Sequence, residues 1–376
     1  MDSKKFLYLL LLIMLGCKNA GDKPADSKKV IAEQATSDKI WFHEDVEEME
    51  GLMMGPFIHL ENNEILTVGE TESYISKDEG KTWETYPIFN SKDTYLIRPE
   101  RALIRTKNGV VILAFANDLE KSNWNWQEDI HDSPGAILPT YAVRSLDGGK
   151  TWENPEKLHD EWTGAIRDII QTKNGSIIFT TMMMQHNPGH HSVLTYTSKD
   201  DGESWIRSNV IDLGGIGHHS GVTESTIEEM NDGRIWMLMR TMWGKFWEAY
   251  SYDEGLTWKE FNATTINAST APGLLKRLSS GRLILIYNQV YPEGQHEYPM
   301  SGGKGQWSEV PASNHRKELS IMFSNDEGSS WSDPVVIAKD QKRLSYPYMF
   351  EANPGELWIT TWQGELRAKI YEKDFQ

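Results

Sequence analysis

Eight residues recur five times along this chain. The pattern Ser-x-Asp-x-Gly-x-Thr/Ser-Trp stands at residues 76–83 (SKDEGKTW), 145–152 (SLDGGKTW), 198–205 (SKDDGESW), 251–258 (SYDEGLTW) and 324–331 (SNDEGSSW). Five copies are not chance, so the chain is an array of similar supersecondary units. Each conserved type in the pattern has a turn-forming reason: Asp bonds back to nearby amides, Gly takes a positive φ, and Trp plugs an apolar layer. The copies start 69, 53, 53 and 73 residues apart, so the units share a turn and differ in their loops. The oxygen-rich positions and terminal Glu of a calcium loop are missing, and the pattern reads as structural.

A second pattern accompanies the first. Two apolar runs joined by a turn occur at 57–68, 102–116, 166–181, 222–240, 273–288 and 346–362. Asn108-Gly109, Asn174-Gly175 and Asp232-Gly233 are strong hairpin turns, Ser280-Gly281 and Pro354-Gly355 weaker ones. Aromatics at 11%, with 30 Gly and 15 Pro for many tight turns, suit an all-β chain. With 39% hydrophobic residues it can bury a large core, which excludes disorder as its main state. Six hairpins, five followed by a box-bearing second hairpin, predict six four-stranded sheets arranged radially: a six-bladed β-propeller over residues 40–376. The sixth unit lacks a box. Its missing strand is expected from Ile40-Trp41-Phe42, pairing beside residues 366–372 (LRAKIYE) and closing the ring.

The amino terminus has a different character. Lys4 and Lys5 precede an apolar run, residues 6–16, too short to span a bilayer but right for a secretory signal. Cys17 ends that run and is the only cysteine, so no internal disulfide or cysteine metal site is available. Leu15-Gly16-Cys17 resembles the bacterial lipobox, which implies cleavage before Cys17 and acylation of its thiol. The expectation is a signal at 1–16, a polar tether at 17–39, and an exported lipoprotein on the outer membrane. A formal charge of −17 repels polyanions, so nucleic acid is not an expected partner.

Topology separates two faces. In an antiparallel hairpin the start of the first strand and the end of the second lie together, opposite the turn. The turns and boxes therefore share one face, and the long connections 117–139, 184–191, 241–247 and 288–316 crown the other as a binding mouth. First-strand starts would aim Arg98, Arg101, Arg167, Asp168, His218, His219, Glu224 and Tyr346 at that mouth; second-strand ends add His186, Arg240 and Asn288. Arginines converging on one axis are costly unless an anion sits there, and a substrate carboxylate is the obvious candidate. Arg98 or Arg101 alone reads equally well as a surface ion pair. Arg240 ends the apolar strand IWMLMR and must meet something polar.

Boxes and hairpins together resemble the sialidase (neuraminidase) superfamily, whose repeats are called Asp boxes or BNR repeats. The resemblance covers roughly residues 40–376. It implies a cofactor-free enzyme that clamps a sugar carboxylate with three arginines, uses a Tyr–Glu pair as nucleophile and activator, and an Asp as acid/base. Glu224 and Arg240 are similar in spacing and hairpin context to the family's activating Glu and second arginine. Arg316 precedes a box-bearing strand as the third arginine does, and Tyr346 begins the last inner strand, where the nucleophile lies. A neutral phenol suits an anionic sugar, being less repelled than a carboxylate nucleophile. The family's Arg-Ile-Pro motif is absent, and Arg98 and Arg167 are the nearest candidates for the first arginine. The acid/base position stays open among Asp132, Asp129 and Asp168.

Histidines crowd the same mouth: His186, His190, His191, His218 and His219, with His131 and His315 nearby. Ordinary sialidase chemistry does not need them. They suit acid–base work or a sulfate contact; without clear i, i+4 spacing a metal is not expected. Two enzymatic readings follow for an acidic oligosaccharide substrate. One is exo-hydrolysis through Tyr346 and Glu224. The other is elimination by a lyase or dehydratase on uronate-containing oligosaccharides such as those from algal ulvan, with His186, His218 and His219 moving protons. A third reading is a non-catalytic glycan-binding lipoprotein that stacks sugars on Trp124 and Trp126.

Overall fold

Six small antiparallel sheets succeed one another along residues 39–91 and 93–375, the part of the chain described in a computed structural model. Cys17, the proposed signal and almost all of the tether lie outside the described residues. Blade 1 comprises Ile58–His59, Ile65–Val68, Glu72–Ser76 and Glu84–Pro87. Blade 2 comprises Ala102–Arg105, Val111–Ala116, Ile137–Ser145 and Glu156–Glu161. Blade 3 is built from Ile169–Gln171, Ile177–Gln185, His190–Ser198 and Ile206–Arg207. Blade 4 is built from Thr223–Glu229, Ile235–Arg240, Lys245–Ser251 and Trp258–Asn267. Blade 5 takes Leu274–Arg277, Leu283–Tyr287, Glu318–Ser324 and Val335–Lys339. Blade 6 takes Ser345–Asn353, Glu356–Gln363 and Arg367–Tyr371, with its fourth strand from the other end of the chain. The six hairpins read from the sequence are the first two strands of the six blades.

Burial explains the strand patterns. Second strands such as Val111–Ala116 and Leu283–Tyr287 are buried at every residue, because a blade is covered on both faces by its neighbours. Outer strands such as Trp258–Asn267 bury only occasional side chains. Apolar clusters lie between the blades and weld the ring: Leu66 and Ile75 meet Leu113 and Phe115 between blades 1 and 2, and Phe57 and Ile65 meet Phe350 and Trp358 between blades 1 and 6.

Ring closure differs from expectation by one strand. Trp41–Phe42 pairs with Val335–Lys339 as a fifth strand on blade 5, and Val46–Glu48 pairs with Arg367–Tyr371 to complete blade 6. A turn in which Val46 N donates to His43 O carries the chain from one blade to the next. An outermost strand needs only one inward apolar residue. Val46 supplies it, packing among Leu357, Ala368 and Ile370, while the exposed Trp41 ring lies beneath Lys339 Nζ.

The boxes sit at the third-to-fourth strand turns of blades 1–5 and close on themselves. In the second, Asp147 Oδ1 accepts from Thr151 N (2.9 Å) and Oδ2 from Thr151 Oγ1 (2.7 Å), while Ser145 Oγ accepts from Gly149 N (2.8 Å). Gly149 has φ of 87°, and a Cβ there would overlap Leu66 Cδ1 of blade 1 at 2.1 Å, so both conformation and interblade packing demand glycine.

Candidate functional site

Tyr346 lies where the last inner strand begins, and its backbone is unusual. Its φ is 62°, while Ser345 and Pro347 on either side stay in register with Gln363 and Thr361. A large aromatic in the left-handed region costs about 1–3 kcal/mol, held here by flanking strand pairing. The Tyr346 hydroxyl donates to Glu224 Oε1 at 2.8 Å. Arg240 Nη1 donates to the other carboxylate oxygen, Oε2. Thr270 spaces two guanidiniums: its Oγ1 accepts from Arg240 Nε (3.1 Å) and its carbonyl from Arg316 Nη2 (2.6 Å). Arg316 Nη1 reaches Gln363 Oε1 at 3.2 Å, and its guanidinium lies 5.6 Å from the Tyr346 ring centroid. All four side chains are buried.

Electrostatics set resting protonation. Burial alone would raise the Glu224 carboxyl, but the charge and hydrogen bond of Arg240, helped by Arg316, bring it below the ordinary value. Burial and the neighbouring Glu224 carboxylate raise the Tyr346 phenol despite both arginines. At rest the pair is a neutral phenol donating to an ionised carboxylate. Burial and repulsion from Arg240 push Arg316 down to about 10, so an added anion would relieve its charge.

The histidines form a canopy of three loops beside this group. His218 N donates to Gln306 O, His219 N to Trp307 O and Gly217 N to Gly189 O, so loops from blades 3, 4 and 5 are stitched together. The Nδ1 atoms of His218 and His219 are 2.6 Å apart, so one must accept the other's proton. Burial, then Arg240, hold His219 well below the ordinary histidine range; burial holds His191 at about 4. Neutral imidazoles are poor anion ligands, so the expected sulfate contact finds no support in His191 and His219. Trp126 packs edge-on to His218 with ring centroids 5.5 Å apart, and Trp307 lies 5.5 Å from His219. Trp124 stacks on Trp162 at 4.3 Å.

Comparison with known proteins adds the family. Residues 102–359 match the BNR repeat-like domain, and residues 74–85 match the BNR/Asp-box repeat. The chain belongs to the BNR repeat-like domain family. The sialidase of Paraclostridium sordellii is 22% identical over 217 residues, 53% of this chain and 51% of that protein. A Vibrio cholerae sialidase is 20% identical over 269 residues, 66% of this chain and 31% of that protein. The chain thus spans about half, or less, of the length of these curated relatives. Among solved structures, a Hadza microbial sialidase superposes with a TM-score of 0.60 at 15% identity, covering 86% of this chain and 66% of its own. A Dyadobacter fermentans protein of unknown function superposes at 0.58 with 17% identity, covering 87% and 98%. At such identity these structures establish the sialidase-like propeller fold.

Within this BNR propeller the residues singled out from sequence divide into groups. Tyr346, Glu224, Arg240 and Arg316 meet. Arg167 lies beneath them, its guanidinium 5.3 Å from the Tyr346 ring and 5.0 Å from that of Tyr348, with Nη2 donating to Pro347 O at 2.8 Å. Arg98 pairs with Asp118 Oδ1 (2.8 Å) and Glu100 Oε2 (3.2 Å) and donates to Gly164 O (3.0 Å), and it lies near enough to Tyr346 to interact with it electrostatically. Arg101 is no surface ion pair; it is buried and donates to the carbonyls of Gly55 and Val68, tying blade 2 to blade 1.

The acidic candidates separate too. Asp168 is consumed in an interblade clip, accepting from Ile169 N, Thr226 Oγ1 and Ile227 N and pairing with Lys276, which leaves it no free edge as an acid/base. Asp129 is exposed. Asp132 is buried and accepts from His186 Nδ1 (2.8 Å), Ser133 N (2.7 Å) and Asn187 N (3.1 Å), so it orients His186, whose side chain is 38% exposed. His190 faces Asp212, and Asn288 donates to Glu318 O and Leu344 O.

Sequence reasoning missed Glu100. It is 3% exposed, burial raises its carboxyl despite Arg98, and it lies near enough to Tyr346 to add to the raising of the phenol. No local pattern marks Glu100 between Arg98 and Arg101; only the packing of the blades buries it.

Proposed function

We propose that this chain is a glycan-active enzyme that hydrolyses a terminal acidic sugar by sialidase-type exo-cleavage. The observation that carries the reading is the Tyr346 Oη–Glu224 Oε1 hydrogen bond with Arg240 on the same carboxylate and Arg316 alongside. Arg240 and Arg316 take the substrate carboxylate. Tyr346 Oη then bonds to the anomeric carbon as its proton passes to Glu224, and the glycosidic oxygen leaves with a proton. Because the phenol is raised and the carboxyl lowered, that transfer is uphill at rest and is driven by positive charge developing on the sugar. We assign the leaving-group proton to His186, aligned by Asp132. Water then cleaves the tyrosyl–sugar bond and restores both groups.

A second reading, elimination at a uronate, is favoured by the His218–His219 contact. Burial and the arginines keep His219 a free base beside a carboxylate clamp, as α-proton abstraction requires. Mass spectrometry of sialylated and uronate-containing oligosaccharides before and after incubation decides between them. Products summing to substrate plus water mean hydrolysis. Fragments summing to the substrate, or one product lighter by a water, mean elimination. We further propose that Cys17 anchors the exported chain to the outer membrane; Cys17→Ser should move it from the membrane to the soluble fraction, and unchanged partitioning would refute the anchor.

A further inference from the structure

Arg167, whose guanidinium lies 5.3 Å from the Tyr346 ring, also lines a second chamber of mixed polar and apolar character. A cavity of about 120 Å³ there is lined by Arg101, Arg167, Asp168, Lys276 and Tyr348 among others, contributed by blades 2, 3, 5 and 6. Three cations thus face one carboxylate, and that carboxylate is spent. Asp168 already accepts two backbone amides and the Thr226 hydroxyl and pairs with Lys276, which fills the roughly four acceptor positions a carboxylate offers.

The two guanidiniums are left with unmet donors. Arg101 is 3% and Arg167 2% exposed. Arg101 uses Nη2 on two carbonyls and Arg167 uses Nη2 on one. Arg101 Nε, Arg167 Nε and Arg167 Nη1 are buried and meet no acceptor among the described residues. The rings of Tyr346 and Tyr348 lie against the Arg167 guanidinium, but a ring contact does not satisfy an N–H directed along the guanidinium edge. Glu100 lies near both arginines, and Glu70 lies near Arg101. Glu100 makes no hydrogen bond to either arginine, and its Oε2 lies nearest Arg98. Buried ions with open donors are among the costliest arrangements in a fold, and a partner of opposite charge offsets them.

We propose that this cavity binds one small monovalent anion, a halide such as chloride, between the open donors of Arg101 and Arg167. Size and charge select it. A cavity of about 120 Å³ has room for a halide with accompanying waters. The open donors of two buried guanidiniums call for a negative partner. The anion would sit against Arg167, whose guanidinium also lies 5.3 Å from the Tyr346 ring, and so would brace the residue at the centre of the mouth. The inference stands whether the mouth hydrolyses, eliminates or only binds.

Two measurements on the full chain test it. Crystals transferred to bromide should show an anomalous peak in the cavity, in contact with Arg101 Nε and Arg167. In solution, replacing gluconate with chloride at constant ionic strength should raise Tm saturably, by about 2 °C or more. Arg101→Gln should abolish the saturable rise, whereas Arg105→Gln, on the turn face beside Glu61, should keep it. Water density alone in the cavity while bromide marks surface sites, or a Tm indifferent to the anion, would overturn the proposal. Should Arg101→Gln fail to fold, the bromide map of the unchanged protein decides.

Discussion

On the box face, Asp78, Asp147, Asp200 and Asp326 each find their hydrogen-bond partners within four residues. On the mouth face, Glu224 finds its partners 16 and 122 residues away, on Arg240 and Tyr346. Both kinds of carboxyl fall below their ordinary range, by opposite routes. Asp78 is in the open and is held at about 2 by the Thr82 hydroxyl and amide. Glu224 is pushed up by burial and pulled down further by a buried guanidinium. A repeat can copy the first arrangement five times, because each copy is complete in itself. The second exists once, because it requires blade 4 to deliver Glu224 and Arg240 to the point where blade 6 delivers Tyr346.

Substitutions should separate the faces by what they damage. Tyr346→Phe removes one hydroxyl from the mouth and should lower kcat by about 10³-fold or more with little change in Tm, equivalent to about 4 kcal/mol of transition-state stabilisation. Steady-state kinetics on the substrate found by mass spectrometry would check it, and full activity would show that the mouth works otherwise. Glu224→Gln should also cost stability, roughly 3 kcal/mol by denaturant unfolding, since it leaves the Arg240 charge buried without a counter-ion. An unchanged midpoint would mean that Arg240 has another partner.

Acid sharpens the contrast. His191 has a folded value of about 4 against an ordinary 6.5, so between these the unfolded chain takes a proton that the folded chain refuses. Stability from this residue is complete above pH 6.5 and is lost as pH falls toward 4, on the order of 3 kcal/mol. His191→Asn should flatten that part of the stability–pH curve, and a parallel curve would refute it. The smallest effect belongs to the box face. Asp147→Ala should cost roughly 1–2 kcal/mol of stability and leave kcat/KM unchanged. A loss of activity there would break the division between the faces.

How much was legible follows from the same contrast. The hairpins at 57–68 through 346–362 were readable because a turn and its flanking apolar runs are neighbours in sequence. Tyr346, Glu224 and Arg240 were readable because strand starts and ends share a face by topology, and because Arg240 ends a strand with no other polar outlet; Arg316 was readable only through the sialidase resemblance. The closing strand was placed one blade early, since Ile40-Trp41-Phe42 is the more apolar stretch but an outermost strand asks only for Val46. Arg101 and Asp168 carried the same signature as the site residues. Only their contacts, with Gly55 and Val68 and with Thr226 and Lys276, show them to be interblade fastenings.

By itself the sequence determined the number of blades, the hairpin that opens each of them, the self-closing box turns and the face that carries the long loops, because all of these follow from periodicity and from contacts within about ten residues. Tertiary structure alone decided that Arg101 is an interblade fastening, that Glu100 is buried, that Asp132 serves His186, and that Arg101 and Arg167 line one cavity. Those outcomes depend on the separations at which six blades pack around a common axis. That distance is set by interblade side chains hundreds of residues apart, and no local pattern encodes it.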